Sequence, residues 1–112
     1  MTRCRSRAVL VCLLTVACTP ESPRLVSPNQ IDGDSIPVPL ADTVADAGHG
    51  EALFVSRDGG HCVLCHQVAG LDAEFQGDVG PALTGIGSRL SSGQLRLRVV
   101  DYEQVQPGVL MP

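Results

Sequence analysis

Five consecutive residues, Cys62-Val63-Leu64-Cys65-His66, constrain this chain more than any other feature. Two cysteines that are separated by two residues and followed at once by a histidine form the attachment signature of a c-type haem. The two thiols add to the two vinyl groups of the porphyrin, and the histidine lies under the iron as an axial ligand. We therefore expect one covalent haem c, held by Cys62 and Cys65 and ligated by His66.

The composition fits a small domain built around such a group. The chain has 112 residues but only two Phe, one Tyr and no Trp, so few large side chains are available to fill a core. Domains of this size commonly need a further staple, and a macrocycle can serve as one. The formal charge is −4, and there is no basic patch and no set of aromatic residues that would stack on bases. We therefore expect no nucleic-acid partner.

The cysteines offer no even set for a disulfide framework. Three of the five belong to the N-terminal leader or its end: Cys4, Cys12 and Cys18. Two other uses of the remaining pair stay open, a redox dithiol and half of a zinc site. A thioredoxin-type dithiol needs a βαβ context that the sequence does not show, and His49 and His61 are poorly spaced as further zinc ligands.

Residues 1–17 have the features of an export signal peptide. Three arginines near the start precede an apolar run over residues 8–17, which is too short to be a permanent transmembrane helix. The sequence Leu14-Thr15-Val16-Ala17-Cys18 resembles a bacterial lipoprotein box, with Thr15 where that pattern prefers leucine. We favour lipidation of Cys18, which would anchor a periplasmic protein to a membrane. Ordinary cleavage near Ala17 is the alternative, but it would leave an exposed unpaired thiol.

Residues 18–46 are expected to form a flexible, proline-rich linker. Prolines are spread among Ser, Asn and Asp without sustained periodicity, a pattern typical of extended or disordered chain. Such a spacer suits a domain that is held away from a membrane. A variable N-terminal extension would have the same composition.

Residues 47–112 are expected to form an all-α domain. Asp46 is placed to cap a first helix from about Ala47 to Arg57, which Asp58-Gly59-Gly60 would end. Residues 70–80 are rich in Gly and Asp and predict a loop.

A second helix is predicted further along the domain, with Ser91 or Ser92 as its cap and Leu95 and Leu97 on it. A turn at residues 106–108 then precedes the end of the sequence.

Met111 is the leading candidate for the second axial ligand of the iron. The other methionine is the initiator, which leaves with the signal peptide. Pro107 and Pro112 flank Met111 and lower the entropy that this loop loses when it is ordered. A methionine sulfur raises the reduction potential relative to a second imidazole. His49 is the rival ligand, and a methionine near a chain end can also simply fill a core.

The imidazole of His66 needs a hydrogen-bond acceptor for the nitrogen that does not bind iron. Gly80-Pro81-Ala82-Leu83 resembles the segment of small cytochromes c that places a backbone carbonyl beside this ring and packs a leucine on the haem. The resemblance implies that Pro81 and Leu83 are cofactor-binding residues.

The segment from Gly77 to Arg89 resembles, together with the motif before it, the SoxX family. These proteins are the small monohaem cytochrome subunits of the SoxAX complexes of bacterial sulfur oxidation. Residues 95–101 and 107–112 continue the likeness, which covers roughly residues 50–112. Its more specific parts are the Arg-Val-Val-Asp and Pro-x-x-x-Met-Pro elements.

The resemblance implies a class I cytochrome c-like domain in a periplasmic electron carrier. The partners that it implies are a SoxA-like dihaem or monohaem cytochrome, a SoxYZ-type carrier protein reached through the complex, and a downstream electron-acceptor cytochrome. The complex joins thiosulfate to a cysteine of the carrier, as an L-cysteine S-thiosulfotransferase. Bond formation belongs to the SoxA haem, so no catalytic residue is expected here, and the haem at His66 and Met111 receives the electrons.

The family continues beyond the position of Pro112 with a C-terminal helix that packs on the first helix. We therefore expect a domain that lacks this helix and holds Met111 loosely, or a sequence that is part of a longer reading frame. The alternative function is that of a free-standing, membrane-tethered class I cytochrome c in a respiratory electron-transfer chain.

Overall fold

The structure, a computed structural model, describes residues 24–111. The predicted signal peptide and the predicted lipidation site at Cys18 lie outside these residues. The described part is helical, with α1 at Ala47–Val55, α2 at Ile86–Arg89 and α3 at Ser92–Val100, and with 3₁₀ turns at Pro28–Gln30, Cys62–Leu64 and Tyr102–Gln104. It contains no β-strand, only an isolated bridge between Asp32 and Ser35. The all-α prediction agrees with this architecture.

Helix α1 begins where the sequence predicts. Asp46 is the N-cap, and its Oδ1 accepts a hydrogen bond of 2.6 Å from the backbone N of His49. This bond satisfies one of the amide groups that a helix start leaves without an intrahelical acceptor.

Helix α1 ends at Val55, two residues before the predicted end at Arg57. Ser56 is already extended, and its carbonyl accepts hydrogen bonds from the backbone N of Gly59 and of His61, at 3.2 and 3.0 Å. The chain thus turns back over the helix end, and this turn delivers it directly to the Cys62–Leu64 turn. The α1 helix and this turn are in contact.

Helix α3 also has the predicted cap. Ser91 accepts from the backbone N of Gln94 at 3.2 Å, and the Gln94 side chain accepts from the backbone N of Ser91 at 2.9 Å. This reciprocal pair is a capping box. The short helix α2 was not predicted from the sequence. It begins after Gly85, whose φ of 69° lies in the left-handed region that glycine tolerates.

Part of the segment that we expect to form a flexible linker packs on helix α3 in the structure. Residues 24–36, which we call the clasp, lie against α3. Val26 and Ile36 are 4% and 1% exposed and form a buried cluster with Leu97, which is 0% exposed. The composition of the clasp predicts disorder, but its side chains Val26 and Ile36 pack on Leu97, more than 60 residues further along the chain. Residues 37–44 are all exposed and carry no helix or strand, and the division of the chain into domains stays a prediction.

Polar contacts complete the attachment of the clasp to α3. Asp34 accepts hydrogen bonds from Gln94 at 3.0 and 3.1 Å and forms an ion pair with Arg98 at 3.1 Å. Arg96 donates to the carbonyl of Ile36, whose own N–H donates to Gly93 O at 3.0 Å. Both arginines of α3 are therefore engaged within the chain.

Within residues 24–111, no helix has both the length and the apolar character needed to cross a membrane.

Candidate functional site

The attachment motif forms one tight turn of backbone. Cys65 N donates to Cys62 O at 3.1 Å, and His66 N donates to the same carbonyl at 2.9 Å. Both thiols are free and partly exposed. The turn thus presents two unpaired sulfurs from neighbouring positions, with the imidazole following directly.

The chain enters this turn through a special backbone conformation. His61 has φ 47° and ψ 34°, the only left-handed non-glycine residue in the described part. Gly60 precedes it, and a Cβ at Gly60 would lie 3.0 Å from the Sγ of Cys62. The approach to the first thiol is therefore crowded and leaves little room for a side chain.

A second segment, residues 77–83, runs alongside the motif. Its backbone N–H groups donate to two carbonyls of the motif and to the one that follows it: Gly77 to Val63 at 2.9 Å, Gly80 to Cys65 at 2.8 Å, and Leu83 to Gln67 at 2.8 Å. Backbone hydrogen bonds thereby hold the motif to this segment, and Val63 within the motif is only 5% exposed.

The imidazole of His66 is oriented by this segment. Its Nδ1 lies 2.8 Å from the carbonyl oxygen of Pro81. A carbonyl can only accept, so Nδ1 carries a proton, and in the neutral imidazole Nε2 then keeps its lone pair free. This is the tautomer that a metal-bound histidine requires, with its other nitrogen donating to a carbonyl.

Gly80 provides the space for the ring. A Cβ at this position would lie 2.4 to 2.9 Å from three atoms of the His66 imidazole. The ring therefore packs on bare backbone, which restricts its rotation. Two free thiols on one turn and an imidazole with an available Nε2 are the donor set that a c-type haem needs, so the residues present fit this group.

The loop between the two segments is held by side-chain hydrogen bonds that the sequence did not reveal. Gln76 accepts from Val68 N at 2.7 Å and donates to Leu71 O at 3.3 Å, while Thr84 accepts from Ala69 N at 2.8 Å. A shallow groove of about 280 Å³ lies among these residues. Polar residues in a Gly- and Asp-rich loop gave no periodic signal that could have identified them.

The other predicted site residues lie apart from these contacts or at their edge. Leu83 is half-buried next to the motif, and Met111 is 37% exposed at the end of the described residues. His49 is exposed in the first turn of α1. Binding of haem by Pro81 and Leu83, and ligation of iron by His66 and Met111, stay predictions.

The zinc alternative requires three or four nearby ligands. Among residues 24–111, no group of three or more His, Cys, Asp or Glu side chains is arranged to hold a metal ion.

No family model and no curated protein matches this chain. It is similar to a chain in the crystal structure of SoxXA from P. pantotrophus, with 30% sequence identity and a TM-score of 0.69. The similarity covers 72% of this chain and 60% of that chain. The described residues therefore share the fold of a SoxXA chain, of which this sequence spans about three fifths.

Proposed function

We propose that this chain is a monohaem c-type cytochrome, the electron-accepting subunit of a thiosulfate-oxidising SoxAX-type complex. One haem c would be attached through Cys62 and Cys65, with His66 and Met111 as axial ligands. The proposal is supported by the 30% identity to a SoxXA chain and by the geometry of the motif.

The observation that carries the proposal is the hydrogen bond between His66 Nδ1 and Pro81 O, at 2.8 Å. Of the two neutral tautomers it selects the one with a free Nε2, next to two unpaired thiols. A redox dithiol does not require an imidazole that is oriented in this way. A histidine that ligates iron does require an acceptor for its other ring N–H.

Haem, when bound, supplies a one-electron ferric/ferrous couple. The chain's own residues orient and tune it. The carbonyl of Pro81 orients the imidazole by accepting its Nδ1–H, and Gly80 limits rotation of the ring. The thioether of Met111 would raise the potential as the second ligand.

The partner and the location follow from the same proposal. A SoxA-like cytochrome would donate electrons, and a SoxYZ-type carrier would be reached through the complex. The protein would work in the periplasm, with an N-terminal signal peptide and, where Cys18 is lipidated, a membrane anchor.

Haem attachment is tested by exporting the full chain together with the haem-maturation machinery. We expect a Soret band and the added mass of one covalent haem. Each of Cys62→Ala and Cys65→Ala should lose one thioether link, and His66→Ala should lose the axial imidazole. His49→Ala is the matched control and should leave attachment and spectrum unchanged. A parent chain without the added mass, despite an active maturation system, would contradict the proposal.

Partner binding is tested separately with the haem-loaded chain. Mixed with a SoxA-like cytochrome, it should elute as a heterodimer and accept electrons from that partner. A chain that stays alone at micromolar concentrations, but exchanges electrons with a respiratory cytochrome, would instead favour the free-standing, membrane-tethered class I cytochrome.

A further inference from the structure

We propose that Gly77 is a positioning residue for the attachment motif and its histidine. Its missing side chain lets residues 77–83 lie directly on the peptide bond between Leu64 and Cys65. The inference rests on the proposed function only for what the positioned histidine does. The contact at Gly77 is made by the chain's own backbone.

Three hydrogen bonds set the register between residues 77–83 and the motif. Gly77, Gly80 and Leu83 donate to carbonyls at Val63, Cys65 and Gln67, and the donors advance by three residues while the acceptors advance by two. The first of these bonds is at Gly77. A displacement there is passed along the same short backbone to Gly80 and to the carbonyl of Pro81.

The backbone of Gly77 lies very close to the peptide bond between Leu64 and Cys65. A Cβ at Gly77 would lie 1.8 Å from the carbonyl oxygen of Leu64, 2.6 Å from its carbon and 3.1 Å from Cys65 N. These are backbone atoms between the two cysteines, so no rotation of a side chain can relieve the clash. Gly77 is also buried in the structure. Any other residue would push the two segments apart.

Gly80 differs from Gly77 in what it touches. A Cβ at Gly80 would meet atoms of the His66 ring, which belong to a side chain and not to the backbone. Gly80 therefore limits the orientation of the ring, whereas Gly77 sets the distance between the segments. The Pro81 carbonyl reaches His66 Nδ1 only while that distance is kept.

The test compares Gly77→Ala with Gly87→Ala in the full exported chain. Gly87 lies in α2, and a Cβ there would meet nothing within 4 Å, so its substitution is the matched control. In Gly77→Ala we expect the amides of Gly80 and Leu83 to exchange with solvent about tenfold faster or more. The amides of Leu95 and Asp101, bonded within α3, should change by less than about twofold.

The imidazole provides a readout that general loss of stability does not move. Proton NMR should show slow exchange of the His66 Nδ1–H with solvent in the parent and in Gly87→Ala, because the Pro81 carbonyl accepts this proton. In Gly77→Ala the same proton should exchange about tenfold faster or more, at a temperature where α3 stays protected. Unchanged exchange at Gly80 and Leu83, or equal acceleration there and in α3, would overturn the inference.

A measurement on the parent chain covers the case in which Gly77→Ala does not fold. The amides of Gly77, Gly80 and Leu83 should then open as one unit, with opening equilibria within about threefold of each other. Independent opening of Gly77 would overturn the inference. If the parent carries no haem, the proposed function fails, whereas the exchange rates of the amides and of the His66 Nδ1–H still decide the role of Gly77.

Discussion

His61 enters the attachment motif with a left-handed backbone, and this costs free energy for any residue with a Cβ. Asparagine and histidine tolerate this region better than β-branched residues do. The conformation is enforced by the turn after α1, where His61 N donates to Ser56 O at 3.0 Å. Strain of this kind persists only where surrounding contacts fix it, and here it directs the chain toward the first thiol.

His61→Val should therefore lower the free energy of unfolding by about 1–2 kcal/mol. His61→Asn should stay within about 0.5 kcal/mol of the parent, because asparagine accepts the same conformation. Urea unfolding of the three proteins measures the differences. Equal stability of the two variants would show that the turn relaxes without this conformation.

Ligation of the iron by Met111 is tested in the haem-loaded chain. Replacing it by alanine should lower the reduction potential and let a small exogenous ligand bind the iron, because the soft sulfur ligand is lost. Leu110→Ala is the control, since that neighbour is 96% exposed. Voltammetry and ligand titration provide the readouts. A potential that does not change in Met111→Ala would assign the second face of the haem to another residue.

The pair formed by the clasp and α3 contains most of the buried apolar side chains of the described residues. Leu97 is fully buried between Val26 and Ile36, so Leu97→Ala leaves a cavity. We expect a loss of about 2–4 kcal/mol in the free energy of unfolding, measured by denaturant titration. Val99→Ala on the same helix is the control and should cost less than about 0.5 kcal/mol, because Val99 is 74% exposed. Similar losses in both variants would mean that the clasp is not packed on α3.

The clasp also gives this pair a pH dependence. Hydrogen bonds from Gln94, and then from Arg98, lower the pKa of Asp34 below its ordinary value of 3.8. A lowered carboxyl pKa stabilises the fold fully above that value, and the stabilisation is lost as the pH falls through the lowered pKa.

The stability difference between the parent and Asp34→Asn should thus be present at about pH 6 and shrink toward about pH 2. Thermal unfolding across this range measures it. Asp42→Asn removes the same charge from an exposed position outside the clasp and serves as the control. A difference that does not vary with pH would assign the effect of Asp34 to shape rather than charge.

Local signals account for the elements that the sequence predicted. Asp46 and Ser91 are caps whose bonding partners lie three residues away, so a short window contains the information. The Gly-Pro segment beside His66 was predicted by resemblance, and its contact with the motif spans only 15 residues. The clasp depends on bonds between residues 60 apart, and its composition resembles that of a linker. The Gly77 contact is made by backbone alone, so no side-chain pattern could reveal it.

Across the whole molecule, buried apolar side chains are unevenly distributed. Three of the four that the described residues contain form the cluster between the clasp and α3, and only Val63 belongs to the motif. Near the motif, large apolar side chains remain open: Leu53 at 44%, Leu64 at 52%, Phe75 at 66% and Val79 at 82% exposed. Helix α1 buries no residue at all. Burial of apolar surface is the main source of stability in a folded protein. The part formed by α1, the motif and residues 77–83, which we call the motif half, therefore gains little stability from its own packing.

The proposed haem would supply the apolar partner that the motif half lacks, so removing both thiols should loosen the two halves unequally. In the double variant Cys62→Ala/Cys65→Ala, we expect the amides of α1 and of residues 77–83 to lose most of their protection from exchange. The amides of α3 should keep theirs, because the cluster with the clasp contains no part of the motif. Hydrogen exchange of the parent and the variant, read by mass spectrometry of peptides, measures both halves in one experiment. Equal loss in both would mean that a single cooperative unit links the clasp to the motif.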